Sequence, residues 1–369
     1  MQQSESGYTA AAYTATADVA IVGAGPIGLE MAATLKRANV DYVHFDAAHI
    51  GHTISWWPRS THFFSTSERL AIAGIPIQVV GQERLTGEAY LAYLRAVVEQ
   101  LDLDVRTYER VMDIQAHEGG FELETQTLAA RRRYRCRRLV LATGDMAAPN
   151  RLGIPGEDLP HVTHYFTEPH RYFRKRLTVV GGRNSAVEAA LRCWRAGSQV
   201  TISYRRSEFS PRWVKPSILP DTLTQIRKGN IRFYPETVPV EILPDRIVLA
   251  PTKDARAAEE ERIVHPTDFV LLCTGFVADL SLFEAAGVNL IGEERVPEYD
   301  EATMETNVPG LYVAGTAASG DRVRYALFIE NSHPHVARIA AALTGRWPRQ
   351  IGTIESRRYE VPLAQIEAN

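Results

Sequence analysis

The sequence predicts an α/β fold, and three features of the chain lead to this prediction. Residues 17–46 and 176–204 each read as a strand, a glycine turn, a helix and a second strand. Three further apolar strands end in glycine, at residues 139–144, 270–275 and 311–315. Continuous apolar strands are typical of parallel sheets that are covered on both faces. Together these features predict two Rossmann-like dinucleotide-binding domains.

Composition narrows the classes of function that the chain can have. It has 369 residues, a formal net charge of −3, 45% hydrophobic residues and 23% charged residues. So weak a net charge gives no general attraction for nucleic acid or for an anionic membrane surface. The chain also lacks an apolar run of the roughly 18 residues that a membrane helix needs. We therefore expect neither a nucleic acid nor a membrane as partner.

The cysteines and the first residues bear on the cellular compartment. The three cysteines, Cys136, Cys193 and Cys273, form neither a C-x-x-C pair nor a zinc-binding cluster. They are expected to be small buried side chains in a reducing cytoplasm, and no metal site is predicted. Residues 1–17 contain no Lys or Arg, unlike a secretory signal. We expect them to form a flexible tail.

The first glycine turn carries a complete dinucleotide fingerprint, G-x-G-x-x-G, between an apolar strand and a helix. In this motif Gly23 makes the tight turn, Gly25 lets the backbone approach a pyrophosphate, and Gly28 lets the helix pack on the strand. Asp46 ends the next strand, where its carboxylate can accept hydrogen bonds from a ribose. The residues of this first predicted site are Gly23, Gly25, Pro26, Ile27, Gly28 and Asp46.

Between the two units, the chain is expected to form a helix over 88–101 and alternating strands near 105–115 and 120–136. The basic run RRRYRCRR (131–138) has two interpretations. It could bind anions, but an exposed edge of a small antiparallel sheet is favoured, because alternating charges protect such edges. The proline- and glycine-rich stretch 149–160 is a natural domain boundary.

The second glycine turn departs from the fingerprint, because Arg183 stands at the second glycine position. A guanidinium can hydrogen-bond a phosphate directly, so this arginine need not prevent binding. Arg205 and Arg206 follow the next strand, where they suit a 2′-phosphate, although they could also be a solvated pair. The second predicted site consists of Gly181, Gly182, Arg183, Asn184, Ser185, Ala186, Arg205 and Arg206.

The two sites are chemically different, which suggests a division of roles. An acid suits the free ribose hydroxyls of FAD, and an arginine pair suits the phosphorylated ribose of NADPH. In that combination nicotinamide passes hydride to the flavin, which passes electrons on. FAD and NADPH are therefore the predicted cofactors.

The chain after residue 17 resembles the thioredoxin-reductase-like flavoproteins, which bind two dinucleotides, and more narrowly the YpdA-type bacillithiol disulfide reductases. The narrower resemblance rests on FFSTSERLAIAGIP (63–76), GGRNSAVEAAL (181–191), YRRSEF (204–209), KPSILPD (215–221) and FIEN (328–331). It implies a discontinuous FAD domain over 18–152 and 266–369, with an NADPH domain inserted at 153–265. A homo-oligomer is common in this class and is expected here.

The resemblance also implies further cofactor contacts. It adds Ala142, Thr143, Gly144, Gly315, Thr316 and the backbone near Val111 to the FAD site, and Lys215 to the NADPH site. Two positions depart from the family pattern. Ile27 stands where relatives often carry a cysteine in the first glycine motif, and Thr316 stands where an Asp near the flavin is usual. Without that cysteine, no thiol is evidently placed to form a mixed disulfide.

Several functions remain open at this point. Reduced flavin could reduce a small disulfide or another small acceptor, pass electrons to ferredoxin or flavodoxin, or support a monooxygenase reaction; a flavoprotein that only senses or binds is also conceivable. Trp56, Trp57, Phe63 and Phe64 could wall the flavin or a substrate pocket, or belong to the core.

Histidines and acids near the C-terminus are weak candidates for catalysis. His333 and His335 begin a capped helix predicted over 328–345 that ends at glycine. Either imidazole could protonate a leaving group, although helix-start histidines more often bond backbone or solvent. Asp321 and Glu330 are weaker candidates, and His62 is expected to be structural. Residues 254–262 are expected to form a solvated hairpin tip.

Overall fold

The computed structural model describes residues 13–81, 83–252, 261–320 and 327–352. They divide into two compact units. The first comprises the described parts of Met1–Ser55, Ser65–Ala147 and Val277–Asn369, and the second comprises the described parts of Trp56–Phe64 and Ala148–Phe276.

Short strands and helices alternate along the described chain. The elements of its first half are β1 (Ala15–Val22), α1 (Pro26–Arg37), β2 (Tyr42–Phe45), α2 (His52–Ser55), α3 (Ser67–Leu70), α4 (Gly87–Gln100), β3 (Arg110–His117), β4 (Gly120–Gln126), β5 (Arg131–Leu141), β6 (Ala148–Pro149), β7 (Val162–Thr163) and β8 (Arg176–Val180). Those of its second half are α5 (Asn184–Arg195), β9 (Gln199–Tyr204), α6 (Leu219–Arg227), β10 (Ile231–Pro235), β11 (Thr237–Leu243), β12 (Arg246–Pro251), β13 (Ile263–Pro266), β14 (Phe269–Leu272), β15 (Phe276–Val277), α7 (Ser281–Ala285), β16 (Leu290–Ile291), β17 (Val296–Pro297), β18 (Leu311–Val313) and α8 (Ile329–Thr344).

The first unit is built on a six-stranded sheet with the order β2-β1-β5-β4-β3, and β18 also pairs with β5. The pairs β1–β2, β1–β5 and β18–β5 are parallel, whereas β3–β4 and β4–β5 are antiparallel. Strand β5 joins the two parts, because its basic first half pairs with β4 and its apolar second half pairs with β18. Because β1, β5 and β18 run parallel, their carboxyl ends lie at the same edge of the sheet.

The basic run 131–138 is an internal strand, which corrects the expectation of an exposed sheet edge. Its residues pair with β4 on one side and with β1 on the other. Three carboxylates, two on β4 and one just before β3, pair with four of its six arginines, so these four are not free to bind another anion. The ion pairs are Arg131–Glu124 at 3.1 Å, Arg132–Glu109 at 3.0 Å, Arg133–Glu122 at 2.9 Å and Arg135–Glu122 at 2.6 Å.

The end of the expected N-terminal tail is folded. Strand β1 begins at Ala15, and the Thr14 N–H donates to the Arg133 carbonyl over 2.8 Å. The hydroxyl of Tyr13 bonds Glu122, and the guanidinium of Arg135 lies 3.8 Å from its ring centroid. Residues 13–17 thus belong to the sheet, while residues 1–12 lie outside the described part.

The second unit contains an all-parallel sheet with the order β10-β9-β8-β14-β7. Its core includes Val179, Ala189, Ile202 and Leu271, which are almost fully buried. Strand β14 had been expected in the first domain, whose second segment was predicted to start at residue 266. It lies in the second unit instead, because it pairs with β8 and β7. This unit's boundaries also differ from the predicted 153–265, and it takes in residues 56–64.

An antiparallel sheet, β11-β12-β13, completes the second unit. Strands β12 and β13 pair across the expected hairpin of 254–262, but residues 254–260 of that hairpin lie outside the described part. In the first unit, α8 ends at Gly345, whose φ of 71° is left-handed, as the predicted capped helix requires. Within the described ranges, no helix is long and apolar enough to cross a bilayer.

Candidate functional site

The first glycine turn has two positions that packing reserves for glycine and one that faces open space. A Cβ on Gly23 would lie 2.4 Å from the Ala142 carbonyl oxygen, and a Cβ on Gly28 would lie 1.8 Å from the Gly23 oxygen. A Cβ on Gly25 would meet no atom within 4 Å. Gly23 and Gly28 thus hold the strand against helix α1, which begins at Pro26, and Gly25 leaves room for a ligand.

Asp46 is held at the mouth of this turn. Its carboxylate accepts from the Ala24 N–H over 2.6 Å and from the Ala48 N–H over 2.7 Å. The backbone of Asp46 also bonds Arg106 and Glu109, so the segment that leads into β3 runs beside it. Val111, predicted to contact adenine, is buried two residues further along, in β3.

Two further turns converge on the first one. The Ala142 N–H donates to the Val22 carbonyl over 2.8 Å, and Gly144 adopts a φ of 77°. A Cβ on Gly315 would lie 3.4 Å from the Ile27 Cβ, so the turn after β18 packs on the first turn. The predicted FAD contacts therefore all lie on the first unit. They form five groups: Gly23–Gly28, Asp46, Val111, Ala142–Gly144 and Gly315–Thr316.

A buried carboxyl that sequence reasoning missed lies beside Thr316. Asp145 follows the Ala142–Gly144 turn, is 8% exposed, and forms a side-chain hydrogen bond with Thr316. Burial raises the pKa of Asp145, and the bond from Thr316 opposes this shift. Asp145 could have been predicted as a site residue from the sequence. A carboxylate directly after a strand and a glycine turn lies at the ligand-binding edge of a parallel sheet.

The two histidine candidates make structural contacts. The Gly315 N–H donates to His335 Nδ1 over 3.2 Å, and burial lowers the pKa of His335 to about 4. The ring of His335 is therefore neutral near pH 7. His333 Nδ1 lies 2.6 Å from the carboxylate of Glu30, a fully buried acid that the sequence analysis also missed. A catalytic role for either histidine remains an untested prediction.

The other residues considered for catalysis, Glu330, His62 and Asp321, do not form a common cluster among the contacts described. Glu330 lies 3.8 Å from Arg69, with the distance measured between its Oε1 and the arginine Nη1. The carbonyl of His62 accepts from Lys215 Nζ over 3.2 Å. Asp321 lies outside the described residues. None of these contacts by itself indicates proton transfer.

The second glycine turn keeps the strand–turn–helix geometry. A Cβ on Gly181 would lie 2.6 Å from the Cys273 carbonyl oxygen, and one on Gly182 would lie 2.5 Å from the Tyr204 ring. Arg183 is the extended residue before helix α5, and its guanidinium lies 4.9 Å from the ring centroid of Trp213. Trp213 is a contact that sequence reasoning missed.

Other predicted NADPH contacts surround this turn. Ala186 is buried behind it, and Ser185 is exposed at the start of α5. The Asn184 side chain accepts from the Lys215 N–H over 2.7 Å, and the Lys215 ammonium lies 3.3 Å from Glu188. Arg205 and Arg206 are both exposed after β9, which is where a 2′-phosphate would need them.

None of the three cysteines is suited to thiol chemistry. Cys136 and Cys193 are buried and Cys273 is partly buried, and all three are free thiols. Burial raises the pKa of each to about 12, so each thiol is protonated near neutral pH. Among the described residues, no group of three or more His, Cys, Asp or Glu side chains could hold a metal ion.

The aromatic stretch 56–64 belongs to the second unit, not to the first as the resemblance implied. Phe63 is buried and packs on Trp57 with ring centroids 4.8 Å apart, which makes these two part of a core. Phe64 is 58% exposed. Trp56 lies in a separate cluster with Tyr165 and Phe276.

The first site can be tested for its fit to a dinucleotide such as FAD. The Thr143 hydroxyl is buried and has no hydrogen-bond partner among the described residues. It lies on the turn that packs against Gly23, while Gly25 faces open space. A buried polar group without a partner is costly unless a ligand bonds it. The residues present therefore fit a bound dinucleotide.

A family model described as pyridine nucleotide-disulphide oxidoreductase matches residues 20–315. The chain belongs to this family. Bacilliredoxin reductase Bdr of Bacillus subtilis (strain 168) is 36% identical over 327 residues, which cover 88% of this chain and 97% of that protein. A ferredoxin–NADP reductase of Ignicoccus hospitalis is 28% identical over 310 residues, covering 81% of this chain and 89% of that protein.

Solved structures agree with this membership. Bacillithiol disulfide reductase Bdr (YpdA) from Bacillus cereus has a TM-score of 0.83 and 32% identity, and the match covers 90% of this chain and 99% of that one. Thioredoxin reductase from T. acidophilum, at 21% identity and a TM-score of 0.67, covers 89% and 98% and shares the fold. The predicted α/β dinucleotide-binding fold, the YpdA-type resemblance and the oxidoreductase class are confirmed.

Proposed function

We propose that this pyridine nucleotide-disulphide oxidoreductase takes electrons from NADPH through FAD and reduces a low-molecular-weight disulfide without a protein dithiol. The observation that carries the proposal is the state of the cysteines. All three are free, protonated near pH 7 and removed from solvent to a large extent. The names of its relatives, a bacilliredoxin reductase and a bacillithiol disulfide reductase, support the acceptor class.

In this proposal the residues of the first unit hold FAD. Gly25 leaves space for the pyrophosphate at the start of α1, where backbone N–H groups attract phosphate. Asp46 would accept from ribose hydroxyls, and the Thr143 hydroxyl, which has no partner among the described residues, would bond the cofactor. Asp145 and Thr316 form a polar pair beside them. Bound there, a flavin would supply the two-electron chemistry of the reaction.

The second unit then holds NADPH. Arg205 and Arg206 bind the 2′-phosphate, and Arg183 bonds the pyrophosphate from the second glycine turn. The reaction balances as NADPH, one proton and one disulfide giving NADP⁺ and two thiols. A homo-oligomer in a reducing cytoplasm is part of the proposal, and light scattering of the purified protein tests the oligomeric state.

Flavin content and coenzyme preference test the cofactor assignment. We expect a yellow protein whose flavin absorbance NADPH bleaches much faster than NADH in stopped flow. Arg205→Ala/Arg206→Ala should slow the bleaching with NADPH while leaving that with NADH unchanged, because only NADPH has the 2′-phosphate. Arg232→Ala, an exposed arginine on β10, is the matched control. Equal wild-type rates with the two coenzymes would contradict the assignment of the arginine pair.

A second candidate, ferredoxin or flavodoxin reduction, is favoured by the similarity to ferredoxin–NADP reductases. Steady-state NADPH oxidation distinguishes the acceptors when bacillithiol disulfide, other small disulfides, ferredoxin and flavodoxin are each supplied. Oxygen consumption in their absence tests the monooxygenase alternative. We expect turnover with small disulfides, and turnover with ferredoxin alone would establish the second candidate instead.

A further inference from the structure

The second unit carries a cluster of three aromatic rings at the ligand-facing edge of its parallel sheet. Trp56 lies 4.7 Å from Phe276 and 5.2 Å from Tyr165 between ring centroids, and Tyr165 lies 5.8 Å from Phe276. Trp56 and Phe276 are partly exposed, and Tyr165 is 36% exposed. These three residues are called the ring cluster below.

The place of the ring cluster follows from the order of the strands. All strands of the sheet are parallel, so their carboxyl ends lie at one edge. Tyr165 comes just after β7, and Phe276 comes just after β14. The glycine turn Gly181–Gly182 follows β8, which is the neighbour of β14. Neighbouring strands lie about 4.8 Å apart, so the ends of β14 and β7 are one and two strand spacings from the end of β8.

The arginine pair defines the direction of a bound nucleotide. Arg205 and Arg206 follow β9, on the side of β8 opposite to β14. A dinucleotide has its pyrophosphate in the middle, which the glycine turn after β8 would bind. With its phosphorylated adenosine at β9, its nicotinamide half has to extend past β14 towards β7. That path leads to the ring cluster.

We propose that the ring cluster is the docking surface of the nicotinamide ring of NADPH. The inference rests on the proposed function and adds to it the residues that hold the reactive half of the coenzyme. Planar heteroaromatic rings gain free energy by stacking on aromatic side chains. The backbone under the cluster is tied down, since the Thr274 hydroxyl donates to the Asn150 carbonyl over 2.7 Å and the Asn150 N–H donates to Gly275 over 2.9 Å.

Two ligands that differ in the nicotinamide half test the proposal by calorimetry on the holoprotein. NADP⁺ contains the nicotinamide riboside, and adenosine 2′,5′-bisphosphate lacks it while keeping the 2′-phosphate. We expect Trp56→Ala to weaken NADP⁺ binding about 5- to 150-fold, the range for the loss of one stacked base. The affinity for adenosine 2′,5′-bisphosphate should stay within about twofold. Tyr165→Leu, at a more exposed position, should act in the same direction.

Phe173→Ala is the matched control. Phe173 is 49% exposed and packs near Gly197, at the opposite, amino-terminal edge of the same sheet. It should change neither affinity. The proposal is overturned if Trp56→Ala and Tyr165→Leu leave NADP⁺ binding unchanged, or weaken both ligands equally. It is also overturned if these variants raise only the KM for the disulfide, since the cluster then serves the acceptor.

The same binding measurements distinguish an error in the proposed function from an error in the role of the ring cluster. If wild-type protein binds neither ligand, the NADPH assignment itself is wrong, and the ring cluster loses its proposed occupant with it. If wild-type protein binds adenosine 2′,5′-bisphosphate and NADP⁺ equally well, the NADPH assignment stands and the ring cluster is not the nicotinamide site.

Discussion

At the scale of single residues, His335 acts as a hydrogen-bond acceptor that holds the turn after β18. Its Nδ1 accepts from the N–H of Gly315, a residue whose φ of 72° places it in the turn that packs on Ile27. Because the ring is buried, its pKa falls to about 4 and it remains neutral as an acceptor. His335 therefore positions the turn after β18 in the predicted FAD site.

This role predicts a particular dependence of stability on pH. The unfolded histidine titrates near 6.5 and the folded one near 4, so its stabilising contribution is complete above pH 6.5 and is lost as the pH falls towards 4. His335→Asn keeps an acceptor for Gly315 but does not titrate. Urea unfolding should show the wild type losing stability relative to His335→Asn across that pH range.

A second variant serves as the control for the hydrogen bond itself. His335→Leu leaves the buried Gly315 N–H without a partner and should cost about 1–3 kcal/mol, also above pH 6.5. Parallel pH profiles for the wild type and His335→Asn would show that the ring does not titrate as inferred.

The three thiols allow a direct test of chemistry without a protein dithiol. The triple variant Cys136→Ser, Cys193→Ser and Cys273→Ser should retain disulfide turnover to within about twofold, once it is compared at equal flavin content. Burying three hydroxyls in place of thiols should lower the stability, so unfolding is measured alongside. A loss of turnover in fully flavin-loaded variant protein, with flavin reduction by NADPH intact, would identify a required thiol.

At the scale of secondary-structure elements, the glycines of the first turn serve two different purposes. Some allow close packing, and one leaves room for a ligand. Gly28 has no room for a Cβ, since the Gly23 oxygen would lie 1.8 Å away, whereas Gly25 faces open space and has an ordinary extended backbone. The same short motif thus contains two glycines that packing requires, Gly23 and Gly28, and one, Gly25, that leaves room for a cofactor.

Gly25→Ala and Gly28→Ala should therefore fail in different ways. Gly28→Ala should destabilise the apoprotein by about 1–3 kcal/mol, because α1 has to move away from β1. Gly25→Ala should leave apoprotein stability within about 0.5 kcal/mol of the wild type but abolish FAD retention. Thermal unfolding of apoprotein and flavin content after gel filtration measure the two effects. FAD retained at wild-type affinity by Gly25→Ala would place the cofactor elsewhere.

At the scale of the whole first unit, Glu30 connects distant parts of the chain. Its carboxylate accepts from the Ala73 N–H over 2.7 Å and from the Gly352 N–H over 2.5 Å, and it pairs with His333 on α8. Burial alone would lower the pKa of His333, but the bond and charge of Glu30 outweigh it and raise the pKa. Helices α1 and α8 are thus joined through a charged pair.

Removing the negative charge of Glu30 should lower the free energy of unfolding most at a pH where His333 is protonated. A histidine with a raised folded pKa stabilises fully below 6.5, and the effect is lost as the pH rises through the folded pKa. Glu30→Gln retains acceptors for both N–H groups, so it isolates the ion pair. We expect a loss of about 1.5–3 kcal/mol below pH 6.5, and a smaller loss at alkaline pH.

Glu99→Gln, an exposed position on α4, provides the control for a general change in net charge. Chemical denaturation of the apoprotein at both pH values gives the comparison. If Glu30→Gln costs the same free energy throughout the pH range, the pair is not an ion pair.

The sequence by itself determined the fold class, the two glycine turns and the chemical contrast between Asp46 and the pair Arg205–Arg206. These features could be predicted because each depends on neighbouring residues: glycine spacing, apolar periodicity and the residue that ends the next strand. The narrower family membership followed from motifs of similar local character, and the comparisons confirm it. The individual cofactor contacts remain predictions, and so does the assignment of FAD to the first unit and NADPH to the second.

Only the tertiary structure decided which segments meet. It placed the basic run of β5 inside a sheet, assigned β14 and Trp56 to the second unit, and paired Asp145 with Thr316. Glu30 and His333 are 303 positions apart in the chain, and no local pattern joins them. Such pairs depend on strand order and helix packing, which the whole chain settles when it buries its apolar faces.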